Sequence, residues 1–291
     1  MKIFALAKIN LGLEVIRRRD DGYHELRTLF QSLSLADELE FFPRNDDLIR
    51  LSGNKKSVSW GNDNLIYQAA LALKRAKPGT YGVEIKVRKN IPPGYGLGGG
   101  SSNAAVTLLF LNQLWNLGLA PGELVEIGRQ LGADVPFFFH GGFCLGEGRG
   151  DLIQPQPEKW KWAVLVVLPP FSLSTRWVFQ QARLSLTSKP KVSKINQFLK
   201  SGCLAALENE LEEVVFSRFP RLREIKEALK DQKAELSLMS GSGSALYGLF
   251  ATSQQAEEAG REISRLFPEV EFRVCQTVKR SQYWTTIGVG V

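Results

Sequence analysis

The sequence predicts an α+β protein of two domains, and three observations carry that prediction. A strand, a glycine loop and a helix follow one another directly between Val83 and Leu117. Beyond Trp160, short apolar runs alternate with pairs of helical segments, the order expected of helices packed on an antiparallel sheet. The chain of 291 residues, 44% hydrophobic and 23% charged, is long enough to bury two ordinary cores.

At the N-terminus, Ile3 to Val15 alternates like a strand or two, with Ala7-Lys8-Ile9-Asn10 in its middle. A lysine inside a strand either snorkels from an edge or serves a site. Arg19 to His24 reads as a turn. It leads into a strand from Leu26 to Leu35, with Asp37 to Phe42 as its antiparallel hairpin partner. Neighbours on a strand face opposite ways, so Tyr23 and His24 should diverge, and His24 alone reads as a structural histidine. Asp63 to Lys74 has the spacing of a helix capped by Asp63 or Asn64.

The central stretch is Ile91-Pro92-Pro93-Gly94-Tyr95-Gly96-Leu97-Gly98-Gly99-Gly100-Ser101-Ser102-Asn103. Its glycines cost backbone entropy, which a fold tolerates where side chains would obstruct a ligand or where φ must be positive. Val83 to Val87 before it alternates like a half-buried strand. Ala104 to Leu117 after it is apolar at helical spacing, with Ser101, Ser102 and Asn103 as N-cap candidates. A glycine loop running into a helix N-terminus aims unpaired N–H groups and a positive dipole at one point, a ready anion site. A dinucleotide fold would need an acidic strand end about 20 residues further on, and a Walker loop would need a lysine before the serine. Neither is present, and the H-R-D and D-F-G marks of protein kinases are absent too.

A helix from Glu123 to Leu131 ends at Gly132-Ala133-Asp134-Val135-Pro136-Phe137-Phe138-Phe139-His140. Asp134, between a helix end and a proline-aromatic run, is either an ordinary turn residue or an acid poised for proton transfer. His140 reads as structural. In the second half, strands are expected at Trp162 to Leu168, Leu236 to Ser240, Ala245 to Phe250 and Glu271 to Val278. Helices are expected at Ser174 to Leu184, Val192 to Lys200, Leu204 to Lys233 with a break at Pro220, and Ser253 to Leu266. That order suggests a ferredoxin-like domain. Pro155 and Pro157 in a polar run place the division near Gln154 to Lys159, giving domains 1–155 and 156–291.

A net charge of +7 suits anionic partners, but the basic residues are scattered rather than gathered into a nucleic-acid surface. Cys144, Cys203 and Cys275 are far apart and odd in number, which argues for a reducing cytoplasm and against a disulfide frame or zinc site. With only His24 and His140, any metal is expected to be a hard cation held by oxygens. Lys8 interrupts the first apolar run, so no signal peptide is expected. The longest apolar stretch, Trp162 to Phe171, is too short to span a membrane.

The glycine string, with Ala7-Lys8-Ile9-Asn10-Leu11, Asp21-Gly22-Tyr23-His24-Glu25-Leu26, Gly132-Ala133-Asp134-Val135-Pro136-Phe137-Phe138, Gly146-Glu147-Gly148-Arg149-Gly150 and Met239-Ser240-Gly241-Ser242-Gly243-Ser244, resembles the GHMP small-molecule kinases. The resemblance covers nearly the whole chain, and it is strongest to a branch that phosphorylates a hydroxyl of cytidine diphosphate methylerythritol in non-mevalonate isoprenoid synthesis. It implies an N-terminal domain like ribosomal S5 domain 2 and a ferredoxin-like C-terminal domain. It further implies ATP and Mg²⁺, and a monomer or weak homodimer. Lys8 and Asp134 would be catalytic. Pro92 to Ser102 and Ser240 to Gly243 would bind ATP, Ser101 or Ser102 helping to place the metal. Asn10, Tyr23, His24, Thr175 and Phe179 would bind the substrate, with aromatic stacking on the cytosine. The chain departs from the pattern at Tyr95, Ala133 and Glu210. Two other readings are a GHMP kinase for a different alcohol and a basic RNA-binding module.

Overall fold

The computed structural model describes residues 1–182 and 192–289. Two long strands, β1 (Lys2–Arg18) and β2 (His24–Arg44), pair antiparallel from Lys2↔Glu40 to Arg18↔His24. They are followed by β3 (Ile49–Gly53), α1 (Leu65–Ala76), β4 (Gly82–Arg88), α2 (Gly99–Leu114), α3 (Pro121–Leu131), a 3₁₀ turn at Val135–Phe139, β5 (Phe143–Glu147) and β6 (Leu152–Pro155). The sheet runs β3-β4-β2-β5-β6, with β1 on the other edge of β2.

The expected hairpin between Leu26–Leu35 and Asp37–Phe42 is not formed, because both runs lie within β2. Ala36 lacks the positive φ and the side-chain hydrogen bonding that tight turns use. A register shift between Leu6 and Lys8 irregularly spaces the ribbon there instead. The far edge of β2 is shared, Thr28–Gln31 pairing with β5 and Glu38–Arg44 with β4.

The second half contains β7 (Ala163–Leu168), α4 (Thr175–Ala182), α5 (Lys194–Ser201), α6 (Leu211–Arg218), α7 (Pro220–Asp231), β8 (Leu236–Met239), β9 (Leu246–Phe250), α8 (Ser253–Leu266), β10 (Glu271–Gln276) and α9 (Arg280–Ile287). Its four-stranded antiparallel sheet has the order β10-β7-β9-β8, the ferredoxin-like arrangement. Pro220 opens α7 and so divides the two helices as its missing N–H requires. The expected helix end at Leu184 lies outside the described residues.

The sheets share a core. On β7, Val164, Val166 and Leu168 pack with Ala7, Ile9 and Leu11 of β1, while Ala163, Leu165 and Val167 pack against α4 and the outer helices. Burial on both faces explains the unbroken apolar run. On β1 the odd residues from Ala7 onward therefore face the second sheet, which leaves Lys8 and Asn10 on the opposite face. The helix α9, not foreseen from sequence, returns to the first core: Tyr283 and Ile287 are fully buried there, and the Tyr283 hydroxyl donates to the Phe138 carbonyl at 2.7 Å.

Candidate active site

Lys8 is 2% exposed, so it does not snorkel to solvent although β1 is an edge strand. Its Nζ donates to Asn10 Oδ1 at 2.6 Å, lies 3.3 Å from Asp134 Oδ2, and sits 5.4 Å from the Phe30 ring centroid. Asn10 is oriented in turn by donating from Nδ2 to Thr28 Oγ1 at 2.8 Å, and Thr28 donates to the Gly12 carbonyl at 2.7 Å. A buried ammonium is costly unless paired and hydrogen-bonded, and both conditions are met here. Asp134 occupies the N-cap position of the 3₁₀ turn but makes no capping bond, and its side chain is 36% exposed. The carboxylate is turned to Lys8 while keeping access to solvent.

The glycine loop is fastened to the same strand, since the Lys8 N–H donates to the Leu97 carbonyl at 3.0 Å. Gly98, at φ +70°, is the N-cap of α2. Ser101, Ser102 and Asn103 therefore lie inside the first turns and are not the caps that the sequence suggested. The helix begins earlier because a left-handed glycine can turn the chain where serine would be strained. A Cβ on Gly98 would also come within 2.9 Å of both Lys8 Cγ and Phe138 Cζ. With no side-chain cap, the first N–H groups of α2 remain available to an anion.

A second glycine turn, at the β8–β9 junction, packs onto the first. Ser240 Oγ donates to the Gly96 carbonyl at 2.9 Å, and a Cβ on Gly96 would lie 2.1 Å from the Ser240 carbonyl oxygen. A Cβ on Gly241 would lie 3.5 Å from Lys8 Nζ and 3.1 Å from Asn10 Oδ1. Both glycine turns thus converge on the Lys8–Asn10 pair. Tyr95 reaches across with its hydroxyl, donating to the Pro169 carbonyl at 2.7 Å.

The aromatic residues gather at the start of β2. His24 is buried and its ring centroid is 5.3 Å from that of Phe179 on α4, whereas Tyr23 is 55% exposed. Tyr23 ends the turn and His24 opens β2, so the two neighbours differ in burial. Thr175, at the first turn of α4, has its hydroxyl 2.9 Å from Ser242 Oγ, which places it beside the second glycine turn.

Sequence reasoning missed the groups that hold these loops. Asp37, fully buried, accepts from the Asn90 and Ile91 N–H groups at 2.8 Å and from Asn103 Nδ2 at 3.0 Å, and pairs with Lys89, which also donates to Asn103 Oδ1 at 2.9 Å. The entry of the glycine loop and the first turn of α2 are thereby anchored to one carboxylate. Asn209 does the same for the second turn, donating to the carbonyls of Met239 at 2.8 Å and Gly241 at 2.7 Å. Glu212, whose carboxyl is pushed up by burial, accepts from the Met239 N–H at 2.7 Å and pairs with Lys226. No local signal marked them, since Asp37 is followed by Glu38 in an alternating strand and Lys89 stands in the polar run Arg88-Lys89-Asn90.

The family profile described as GHMP kinases N terminal domain matches residues 64–142, and that described as GHMP kinases C terminal matches residues 194–269. A 4-diphosphocytidyl-2-C-methyl-D-erythritol kinase of Citrifermentans bemidjiense is 40% identical over 265 residues, 91% of this chain and 95% of that protein. Another, of Syntrophus aciditrophicus, is 42% identical over 260 residues, 89% of this chain and 93% of its own length. A crystal structure of 4-(cytidine 5'-diphospho)-2C-methyl-D-erythritol kinase superposes with a TM-score of 0.79 at 35% identity, covering 94% of this chain and 99% of that one. The homoserine kinase of Cytophaga hutchinsonii shares the fold, with a TM-score of 0.75 at 19% identity over 97% of this chain and 96% of that one. The matches run through both halves of the chain, and the chain belongs to the GHMP kinase family, within its 4-diphosphocytidyl-2-C-methyl-D-erythritol kinase branch.

Proposed function

We propose that the protein transfers the γ-phosphoryl group of ATP to the 2-hydroxyl of 4-diphosphocytidyl-2-C-methyl-D-erythritol, giving the 2-phosphate and ADP in non-mevalonate isoprenoid precursor synthesis. The contact of Lys8 with Asp134 beside two glycine turns carries this reading. Phosphoryl transfer depends chiefly on positioning and charge stabilisation. The backbone N–H groups of Gly94 to Ser102 cradle the triphosphate, and Ser240 to Gly243 close on it from the other side. Pro92 and Pro93 stiffen the entry to the loop. Asp134, exposed enough to meet a substrate hydroxyl, accepts its proton. Lys8 stabilises the alkoxide that develops. Asn10 fixes Lys8 and borders the erythritol part, while Tyr23, His24 and Phe179 hold the cytosine and Thr175 the substrate near the second turn.

Among the described residues no cluster of three or more His, Cys, Asp or Glu side chains is placed to hold a metal ion. The Ser102 hydroxyl is fully buried in the first turn of α2 and has no hydrogen-bond partner. That donor set fits a hard cation carried largely on the nucleotide, so Mg²⁺ would be met by Ser101 or Ser102. When bound, it neutralises phosphate charge.

Each of the three cysteines is free, which supports action in the reducing cytoplasm. Among the described residues, no helix is long and apolar enough to cross a membrane. We divide the chain at 155/156, after β6 and before the second sheet, and expect a monomer or weak homodimer. Mass spectrometry after incubation with Mg-ATP tests the assignment. A gain of one phosphate on the cytidylyl substrate, blocked by CDP, is expected. Phosphorylation of mevalonate or homoserine instead would overturn the substrate.

A further inference from the structure

The turn between β5 and β6 is docked beside Tyr23. The Leu26 N–H donates to the Gly148 carbonyl at 2.7 Å, and Arg27 pairs with Glu147 at 3.0 Å. This brings the Arg149 guanidinium carbon to 5.1 Å from the Tyr23 ring centroid. The guanidinium is held from behind. Asp151, 6% exposed, accepts from the Arg149 backbone N–H at 2.9 Å, from Nη2 at 2.9 Å and from Nε at 3.3 Å, and Nη2 also reaches the Arg129 carbonyl at 3.4 Å. A planar fork gripped by a buried carboxylate presents its face in one orientation, which a lysine cannot do.

Tyr23 is the complementary case. Its backbone is fixed, with the N–H donating to Asp21 Oδ1 at 3.1 Å and the carbonyl accepting from the Arg19 N–H at 2.9 Å, yet the residue is 55% exposed. A solvent-facing aromatic ring loses rotamer freedom when a ligand stacks on it, and that loss subtracts from affinity. A rigid cation against one face removes part of the loss in advance, and it leaves the other face for a planar base.

We propose that Arg149 is a positioning residue that sets affinity for the cytidylyl substrate by holding the Tyr23 ring as a preformed stacking platform, with Asp151 fixing the angle of its guanidinium. The proposal rests on Tyr23 being a stacking residue for the cytosine.

The test compares Arg149→Met, Arg149→Lys and Tyr23→Ala in the full chain, reading kcat, KM for each substrate and melting temperature. Arg149→Met is expected to raise KM for the cytidylyl substrate about three- to tenfold, the reach of one cation–π contact. KM for ATP and kcat should stay within about twofold, because the change touches binding and not transfer. Arg149→Lys, which keeps the ion pair with Asp151 but not the flat face, should fall between. It also serves as the test if the methionine variant does not fold, since it must then raise the inhibition constant of CDP. A rise for Tyr23→Ala with no rise for either Arg149 variant overturns the role of Arg149 and leaves the stacking intact. No rise for Tyr23→Ala overturns the platform itself. An equal rise in both KM values overturns it as well, since that is what a loosened turn would give.

Discussion

The amine of Lys8 and the carboxylate of Asp134 meet at 3.3 Å, although one stands inside a strand and the other on a 3₁₀ turn behind a different helix. The pair is unequal. Lys8 is sealed in, its side chain 3% exposed, and Asp134 looks outward. Asp134→Asn and Lys8→Met should each lower kcat by about 10² to 10⁴. Normal turnover by a folded Asp134→Asn protein would remove Asp134 as the base. Stability should respond as well: Asp134→Ala removes the counter-charge of a buried ammonium that keeps only its bond to Asn10, and should cost about 1–3 kcal/mol in urea titrations.

Asp37 predicts a larger effect on folding. Asp37→Ala leaves Lys89 without its counter-charge and two backbone N–H groups without an acceptor, a loss of about 3–5 kcal/mol. The Asp37→Ala/Lys89→Met pair should be less destabilised than the sum of the single changes. Strict additivity in a double-mutant cycle would contradict the network.

The cysteines should differ in reactivity. Burial pushes the Cys144 thiol up to about 11 and the Cys275 thiol up to about 12, while Cys203 is exposed. At pH 8 iodoacetamide should label Cys203 in the native protein and reach the other two only after denaturation. Peptide mapping that finds Cys275 labelled in native protein would show that the shared core is not closed.

His140 carries a pH signature. Burial, and then Arg280, holds its imidazole below the usual value. The unfolded chain therefore takes up this proton before the folded one as pH falls. Stability from this group is complete above its unfolded pKa of about 6.5 and is lost as pH drops below that value toward the folded pKa. His140→Asn should flatten the slope of melting temperature against pH in that window, and an unchanged slope would assign it to other groups.

What the sequence revealed was whatever repeats locally. The apolar run of β7 announced burial on both faces, the glycine string announced a loop with open N–H groups, and Pro220 announced a helix break. The motif strings at Lys8 and Asp134 marked residues whose meeting no local pattern could show. Long-range partners were hidden. Asp37 sits in an alternating strand, and its buried role depends on Lys89 and Asn103, which arrive from later elements. The false hairpin at Ala36 has the same cause: one long strand with two different neighbours along one edge looks, in sequence, like two short ones.

The placement of α9 bears on when the protein becomes competent. The turn that bears Asp134 is propped by Tyr283, whose hydroxyl meets the Phe138 carbonyl, and a Cβ on Gly141 would lie 2.2 Å from the Tyr283 ring. Both supports come from a helix translated long after the sheet it covers. A nascent chain that has released only its first half therefore carries Asp134 on a turn packed against α2 and α3 but not yet tied down by Tyr283, and that last tie waits until the second sheet has been made.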